Sequence, residues 1–347
     1  MEGSALYGRL PDTQIGVNLP FTYPPISAVL FSPIAATPFW LANIIFTAAT
    51  LACLAVVIRL VLRELGVVRS GQLTWLTVGG LATMMWVEPV YSTIGFGQIN
   101  VFLMTLVVVD VIVGRDRWWQ GSLIGLAIAI KLTPAVFLAY FVVRRDWRAL
   151  ITGIVATLVV TGVGFALLPK ASAQYWTETI LDPSRIGGLA YVSNQSINGM
   201  LVRLGVSEGG GMVWFGICAV VGLSLLVVMR RLVTQGHDLA ALLTMAFYAL
   251  LASPISWSHH WVWVVPALIL LVMWAWHSPD RGALWGMVAA GAVVFFGRII
   301  WLMPHEEGRE RQWNWYQQIL GNAHLLWGVA FLLVVTWCAF RKTPSDR

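Results

Sequence analysis

Two adjacent histidines follow a proline break in an otherwise apolar part of the chain. The stretch reads Ser253-Pro-Ile-Ser-Trp-Ser-His259-His260-Trp261 and separates two apolar runs of membrane length. Imidazoles titrate near neutral pH, so at a membrane boundary they can hydrogen-bond phosphate oxygens or transfer protons. The neighbouring tryptophans equally fit a pair of interfacial histidines in an aromatic belt. These residues alone leave both interpretations open.

Composition predicts the class of protein around this stretch. Hydrophobic residues make up 58% of the 347 residues and charged residues only 11%, and the mean hydropathy is +0.76. No water-soluble fold could cover such a chain with polar surface. We therefore predict one all-α polytopic membrane domain over residues 1–347, with about 11 membrane helices or half-helices.

Charge and cysteine usage exclude other classes. The net charge of +6 comes from Lys and Arg in short connectors, where such residues orient membrane helices, so we expect no nucleic-acid partner. Cys53, Cys218 and Cys338 lie far apart inside apolar segments, without metal-site or disulfide spacing. We predict no metal site and no cofactor.

The apolar runs and basic clusters together predict a topology. The runs lie near 40–62, 72–87, 98–113, 119–143, 148–168, 212–229, 239–252, 261–276, 282–303 and 319–340. The basic connectors, expected on the cytoplasmic side, contain Arg59, Arg63 and Arg69; Arg115 and Arg117; Arg144, Arg145 and Arg148; Arg230 and Arg231; Arg281; and Arg341 with Lys342. A single crossing by 119–143 would place two of these clusters on opposite sides. A hairpin that enters from the cytoplasm and turns at Lys131-Leu-Thr-Pro134 keeps them together.

This topology predicts that the polar loops face the other side. Residues 1–39 form an outer loop with an interfacial segment, residues 40–340 hold the membrane helices, and 341–347 form a cytoplasmic tail. The further outer loops are 88–97, 169–211, 253–260 and 304–318. Together they carry Asp12, Glu88, Asp182, Arg185, Asn194, His259, His260, His305, Glu306, Glu307 and Arg309. We therefore expect the functional site on the extracytoplasmic face of the plasma membrane.

Five motifs in order along the chain resemble one enzyme family. They are Phe21-Thr-Tyr-Pro-Pro25, Gly97-Gln-Ile-Asn100, Lys131-Leu-Thr-Pro134, the run from Leu181 to Ser196, and Pro254-Ile-Ser-Trp-Ser-His-His260-Trp. Together they resemble glycosyltransferase family 87, the polyprenyl-phosphate-mannose-dependent α-mannosyltransferases of actinobacteria, which have the GT-C membrane fold. The resemblance runs from about Ser4 to Phe340 and does not specify the acceptor.

The resemblance implies a reaction. Such enzymes transfer mannose with inversion from polyprenyl-phosphate-mannose to a lipid-linked glycan, such as a phosphatidylinositol mannoside or lipomannan, at the outer leaflet. The partners would be this donor, this acceptor and membrane lipid. The donor phosphate would contact His259, His260, Lys131 and Arg185. The substrate-binding residues would be Tyr23, Gln98, Asn100, Tyr191, Asn194 and Gln195.

The catalytic base does not follow from the resemblance. Family members carry an aspartate upstream of a Gly-x-x-Leu-Tyr stretch, here Gly3-Ser-Ala-Leu6-Tyr7, so the matching position is expected to precede Met1. A positioned base contributes about 10² to 10⁴ in rate, so another carboxylate would have to replace it. Asp12 and Glu88 are the nearby carboxylates. Asp12 after Pro11 also fits a solvated turn, and Glu88 before Pro89 fits a helix cap.

Simpler interpretations exist for other polar residues. Lys131 fits carbonyl capping at a hairpin tip, although a lysine in an apolar segment costs roughly 3 kcal/mol, which favours a function. Arg185 fits an ion pair with Asp182. We expect Asp110 to face the cytoplasmic interface, and residues 305–310 to form a solvated charged loop.

Two further functions stay open. Broken helices at Lys131-Leu-Thr-Pro134 and Pro254 are typical of secondary transporters, although the two halves show no repeat. The second alternative is that the chain is a catalytically impaired remnant of the transferase, because the family aspartate is expected to precede Met1.

Overall fold

The computed structural model of the chain describes residues 6–8, 10, 20–182, 185, 187–206, 211–278 and 281–341. These residues form α-helices and short 3-10 helices, with a single isolated antiparallel bridge between Asn194 and Trp257 and no strand among them. The helices are α1 Pro25–Ala35, α2 Phe39–Glu64, α3 Ser70–Met84, α4 Glu88–Gly95, α5 Asn100–Ile112, α6 Ser122–Ile130, α7 Leu138–Arg144, α8 Trp147–Leu167, α9 Pro169–Thr177, α10 Ile197–Arg203, α11 Met212–Thr234, α12 Asp238–Ala252, α13 Val264–His277, α14 Arg281–Phe296, α15 Trp315–Gly321 and α16 Ala323–Phe340.

Several helices have the length and composition of membrane spans. Among the described residues these are α2, α8, α11, the helix Ser258–His277 that includes α13, and α16. The helices α4 and α5 would form a sixth span as a pair, bent by 119°. The predicted all-α polytopic membrane class is confirmed. The number of crossings stays a prediction.

Some predicted boundaries are wrong. The run 282–303 is not one helix, because Arg298 has a left-handed backbone (φ 50) and a 3-10 helix follows at Ile299–Leu302. The run 319–340 breaks at Asn322, between α15 and α16. The predicted outer loops contain the short helices α4, α9 and α10.

The chain divides into two compact units. The first contains residues 1–46 and 106–188, and the second contains residues 47–105 and 189–347. The helices α2 and α5 each pass from one unit to the other.

The first unit contains the predicted hairpin. Gly121 beside α6 lies against Ala149 of α8, and Gly125 lies against Gly153 and Ala156, so α6 and α8 run parallel. Small residues at these positions let the two backbones approach closely, as in many membrane helix pairs. The helix α7 then turns sharply into α8 at Arg145 (φ 61), so it runs antiparallel to both.

The tip of this hairpin has an extended residue, Lys131 (φ −151, ψ 129), before a 3-10 helix at Thr133–Phe137. The first arm, α6, therefore begins at the N-terminal end of α8, and the second arm, α7, ends there. The hairpin geometry is confirmed. The membrane face from which it enters stays a prediction.

Asp110 anchors the start of this hairpin. Its carboxylate accepts hydrogen bonds from the backbone N–H groups of Gly121, Leu123 and Ile124 at 2.6, 2.8 and 2.9 Å, and its side chain is fully buried. The expectation that Asp110 faces an interface is wrong. The first turn of a helix leaves N–H groups unpaired, and here a remote carboxylate satisfies them.

The second unit has an aromatic core directly behind the two histidines. Trp261 is fully buried, and its ring lies 5.8 Å from the ring of Phe247 in α12. Phe247 in turn packs on Phe331 and Trp327 of α16, at 4.5 and 5.7 Å between ring centroids. This packing fixes the residue that follows His260.

Candidate functional site

The turn at Pro254–His260 docks on the segment at Asn194–Asn198. The carbonyl oxygen of Pro254 accepts hydrogen bonds from Ser196 Oγ and Asn198 Nδ2, both at 3.2 Å. The backbone N–H of Ser256 donates to Asn194 Oδ1 at 2.9 Å, and its carbonyl accepts from Gln195 N at 2.8 Å. The proline break thus releases backbone groups, and side-chain and backbone groups of the Asn194–Asn198 segment satisfy them.

The backbone of His259 lies in the elbow between α4 and α5. Its carbonyl oxygen accepts hydrogen bonds from Thr93 Oγ of α4 at 3.0 Å and from Asn100 Nδ2 of α5 at 2.8 Å. The bend of 119° between these helices is made at Gly97, whose φ of 61° favours glycine. The Gly97–Asn100 motif and the histidine motif therefore form one structural feature.

Both histidines are partly exposed beside this fixed backbone, although the Nδ1 atom of His259 is itself buried. Their centroids lie 4.8 Å apart at 85°, and the ring of Phe96 lies 5.6 Å from that of His259. A fixed backbone that carries partly exposed histidines is what a preorganised phosphate donor requires.

Three of the predicted substrate residues are buried. The side chains of Asn100, Asn194 and Gln195 are 7%, 0% and 0% exposed. The amide of Gln195 donates to the carbonyls of Val192 and Gly321, both at 2.7 Å, and Asn194 Nδ2 donates to Leu189 at 2.9 Å. These buried amides hold the loops together. Their contact with a substrate stays a prediction.

The other three predicted substrate residues, Tyr23, Gln98 and Tyr191, are partly exposed. The Tyr191 ring lies between Trp257 and Trp301, at 6.1 and 6.3 Å. Burial, and then the nearby Glu306 and Glu310, raise the pKa of Tyr191, so its phenol stays a hydrogen-bond donor at neutral pH.

Arg203 and Glu310 make contacts beside Tyr191 that no sequence pattern predicted. Arg203 is 1% exposed, donates to the carbonyls of Ala190 and Tyr191 at 3.2 Å, and also donates to Asn322 Oδ1. Glu310 is 2% exposed and accepts from Val192 N, which corrects its assignment to a solvated loop. Burial lowers the pKa of Arg203 to about 10, with Glu310 opposing, so Arg203 stays charged at neutral pH.

In the first unit, two predicted donor-binding residues, Lys131 and Arg185, contact one aromatic cluster. The cluster consists of Tyr7, Phe21, Tyr23 and Tyr175. Lys131 Nζ lies 5.3 Å from the ring centroid of Tyr23, within cation–π range. The Tyr7 hydroxyl donates to the carbonyl of Tyr23 at 2.7 Å, which ties the cluster to the start of α1. Burial raises the pKa values of Tyr23 and Tyr175 to about 12, so both are neutral phenols at physiological pH.

Arg185 reaches the same cluster through the backbone. Its guanidinium donates to the carbonyl of Tyr7 at 2.9 Å and to that of Phe21 at 3.5 Å. Arg185 therefore links Tyr7 to the start of the Phe21–Pro25 segment. Its predicted contact with the donor phosphate stays a prediction.

Of the two candidate carboxylates, Asp12 and Glu88, the structure describes only Glu88. Asp12 lies outside the described residues. Glu88 is the first residue of α4 and is 1% exposed, but it does not cap the helix, whose N-cap is Val87. Its carboxylate accepts from Ser92 Oγ at 2.7 Å and Trp301 Nε1 at 2.9 Å, and lies 3.9 Å from the imidazole of His324.

Comparison with known proteins adds independent information. The family model of glycosyltransferase family 87 matches residues 21–254. The polyprenol-phosphate-mannose-dependent alpha-(1-2)-phosphatidylinositol mannoside mannosyltransferase of Mycobacterium tuberculosis is 39% identical, over 99% of this chain and 83% of that protein. The corresponding pentamannoside mannosyltransferase of Mycolicibacterium smegmatis is 35% identical, over 94% and 78%.

A more distant relative transfers another sugar. The alpha-(1->3)-arabinofuranosyltransferase of Corynebacterium glutamicum is 31% identical, over 65% of this chain and 53% of that protein. No solved structure matches the chain. From the family match and the near full-length identity, the chain belongs to glycosyltransferase family 87.

Proposed function

We propose that this protein transfers mannose from polyprenyl-phosphate-mannose to a lipid-linked acceptor of the phosphatidylinositol mannoside or lipomannan type. The observation that carries the proposal is the identity of 39% over 99% of the chain to a relative whose name gives this donor and a phosphatidylinositol mannoside acceptor. The ordered motifs and the broken membrane helices support it. These observations do not support a transporter function to the same degree.

Mannose is favoured over arabinose as the transferred sugar. The mannosyltransferase relatives match 94% to 99% of the chain, whereas the arabinofuranosyltransferase matches 65% at lower identity. Similarity that extends over the loops as well as the helices is the better guide, because loops carry most of the contacts that select a substrate.

The proposed reaction is a displacement with inversion on the extracytoplasmic side of the plasma membrane. An acceptor hydroxyl oxygen bonds to the anomeric carbon of mannose as the bond from that carbon to the phosphate oxygen breaks. Polyprenyl phosphate leaves with the electron pair, and the hydroxyl proton passes to a carboxylate base. Negative charge accumulates on the phosphate, where preorganised donors lower the barrier most.

His259 and His260 are proposed as the phosphate-side donors. They are partly exposed, and hydrogen bonds from α4 and α5 to the backbone of His259 hold their turn. In the first unit, Lys131 beside Tyr23 is proposed as a lipid-phosphate cation. The prenyl chain remains in lipid, so the donor phosphate must bind at the membrane surface.

The test is a transfer assay with defined lipids. Membranes that contain the expressed chain are supplied with labelled polyprenyl-phosphate-mannose and a phosphatidylinositol mannoside, without any nucleotide sugar. Labelled mannose on the acceptor is expected. Comparing the anomeric configuration of donor and product by NMR tests inversion.

Two outcomes would contradict the proposal. One is transfer that requires GDP-mannose and produces no lipid intermediate. The other is movement of the labelled lipid across sealed vesicles with no transfer at all, which would favour a transporter. Membranes with a His259→Ala/His260→Ala double variant at equal expression serve as the control.

A further inference from the structure

Glu88 is the carboxylate whose place in the second unit is hardest to explain as ordinary packing. It is 1% exposed inside an apolar bundle, where burying a carboxylate is costly unless it is paired. An apolar side chain there would cost less. Either Glu88 reacts with the substrate, or it holds a structure that the reaction needs.

Its surroundings argue against a reaction with substrate. One oxygen, Oε1, already accepts from Ser92 Oγ and Trp301 Nε1. The other, Oε2, faces His324, which is fully buried with its ring 4.6 Å from that of Phe295. An acceptor hydroxyl cannot reach either oxygen without opening this packing.

The same contacts tie α4 to the rest of the second unit. Glu88 binds Trp301 of the 3-10 helix Ile299–Leu302, and three residues later Tyr91 lies under the guanidinium of Arg298, 3.7 Å from its ring centroid. The N-terminal half of α4 is therefore held twice by the 298–301 segment. The C-terminal half carries Thr93, which binds the carbonyl of His259.

We propose that Glu88 is a positioning residue that locks α4 through Trp301 and Ser92, so that the elbow between α4 and α5 holds the His259–His260 turn in its working geometry. The inference rests on the role proposed above for that turn. It assigns Glu88 no proton transfer. A shift of about 1 Å in a positioned group can cost on the order of 10² in rate, so such a lock has catalytic consequences.

Two substitutions at Glu88 distinguish a positioning residue from a catalytic base. Glu88→Gln keeps an oxygen that accepts from Trp301 and Ser92, so transfer should stay within about threefold of the parent, in the range of an exposed or conservative change. Glu88→Ala removes the acceptor and should reduce transfer on the order of 10²-fold. A catalytic base would instead lose about 10² to 10⁴ in both variants.

A second measurement does not depend on transfer activity. Hydrogen exchange of the 253–263 segment, measured by mass spectrometry on the purified full chain, should be faster in Glu88→Ala and unchanged in Glu88→Gln. Trp301→Phe removes the indole donor while leaving the carboxylate, and it should also accelerate exchange of this segment. If the parent chain showed no transfer, the proposed function would fail while this measurement still tested the lock.

The outcomes decide the proposal. Equal loss of transfer in Glu88→Gln and Glu88→Ala with unchanged exchange would overturn it in favour of a base. If Glu88→Ala does not fold, or if Glu88→Gln and Glu88→Ala both lose transfer and both show faster exchange, Trp301→Phe decides. Faster exchange in Trp301→Phe supports the lock, and unchanged exchange overturns it.

Discussion

The chemistry proposed for His259 and His260 depends on a difference between their backbone and their rings. The carbonyl of His259 is held from two helices, and Trp261, which follows His260, is fully buried, while both histidines remain partly exposed. Little reorganisation is then needed when charge accumulates on a phosphate beside the rings. An interfacial histidine in an aromatic belt would not need such a fixed backbone.

Alanine substitutions test this role. At least one of His259→Ala and His260→Ala should reduce mannose transfer by about 10²- to 10³-fold, because a preorganised donor to the developing charge is lost. Initial rates of transfer to the lipid acceptor, at equal expression, measure the effect. His277→Ala is the matched control, because His277 is an exposed histidine at the end of α13. Full activity of both variants would move the phosphate site elsewhere.

At this scale the sequence predicted the histidines but not their support. A pair of polar residues at a proline break is visible in one stretch of sequence. The partners of Arg203 and Glu88 lie 119 and 213 residues away, at Asn322 and Trp301, and no local pattern predicts such pairs. The position of His324 is itself a sequence signal, because an ionisable residue inside an apolar run is costly and usually has a role.

At the scale of elements, the hairpin depends on close packing of small residues. A Cβ atom at Gly125 would lie 2.5 Å from the carbonyl oxygen of Gly153 and 2.6 Å from Ala156 Cβ, which is too close for any side chain. Without a hydrophobic driving force between helices in lipid, such close approach contributes much of their association. Proline and charge pattern predicted the turn, but this packing had to be observed.

Gly125→Leu should therefore destabilise the first unit. Overpacking of this kind costs roughly 1 to 3 kcal/mol, and thermal unfolding of the detergent-solubilised protein would measure the loss. Gly162→Leu is the matched control, because a Cβ there meets nothing within 4 Å. Equal melting temperatures for the two variants would contradict the packing role of Gly125.

Asp110→Ala should weaken the same hairpin at its start. The substitution leaves three backbone N–H groups at the start of α6 without their acceptor, and a buried unpaired donor costs about 1 to 3 kcal/mol. Asp110→Asn keeps one acceptor oxygen and should lose less. The melting temperature of each variant, compared with the exposed control Asp116→Asn, measures the difference. No difference between Asp110→Ala and Asp116→Asn would show that the cap contributes nothing.

At the scale of the whole molecule, orientation in the membrane rests on the charge pattern. Arg and Lys residues in the connectors predicted a common cytoplasmic side, and the hairpin geometry removes the one conflict in that pattern. Composition was enough to predict the membrane class, because it requires no knowledge of contacts. The distribution of residues between two units could not be predicted, since α2 and α5 each cross from one unit to the other within a single apolar run.

Cysteine labelling tests the orientation. In a chain with Cys53, Cys218 and Cys338 replaced by serine, single cysteines at Arg117 and Arg148 flank the hairpin at exposed positions. Both should react with an impermeant maleimide from the cytoplasmic side only, because the hairpin returns the chain to the face from which it entered. A cysteine at Lys170, exposed at the opposite end of α8, should react only from outside. Labelling of the Arg117 and Arg148 positions from opposite sides would mean that 119–143 crosses the membrane once. The positive-inside assignment of every later loop, and with it the outward-facing site, would then have to be reversed.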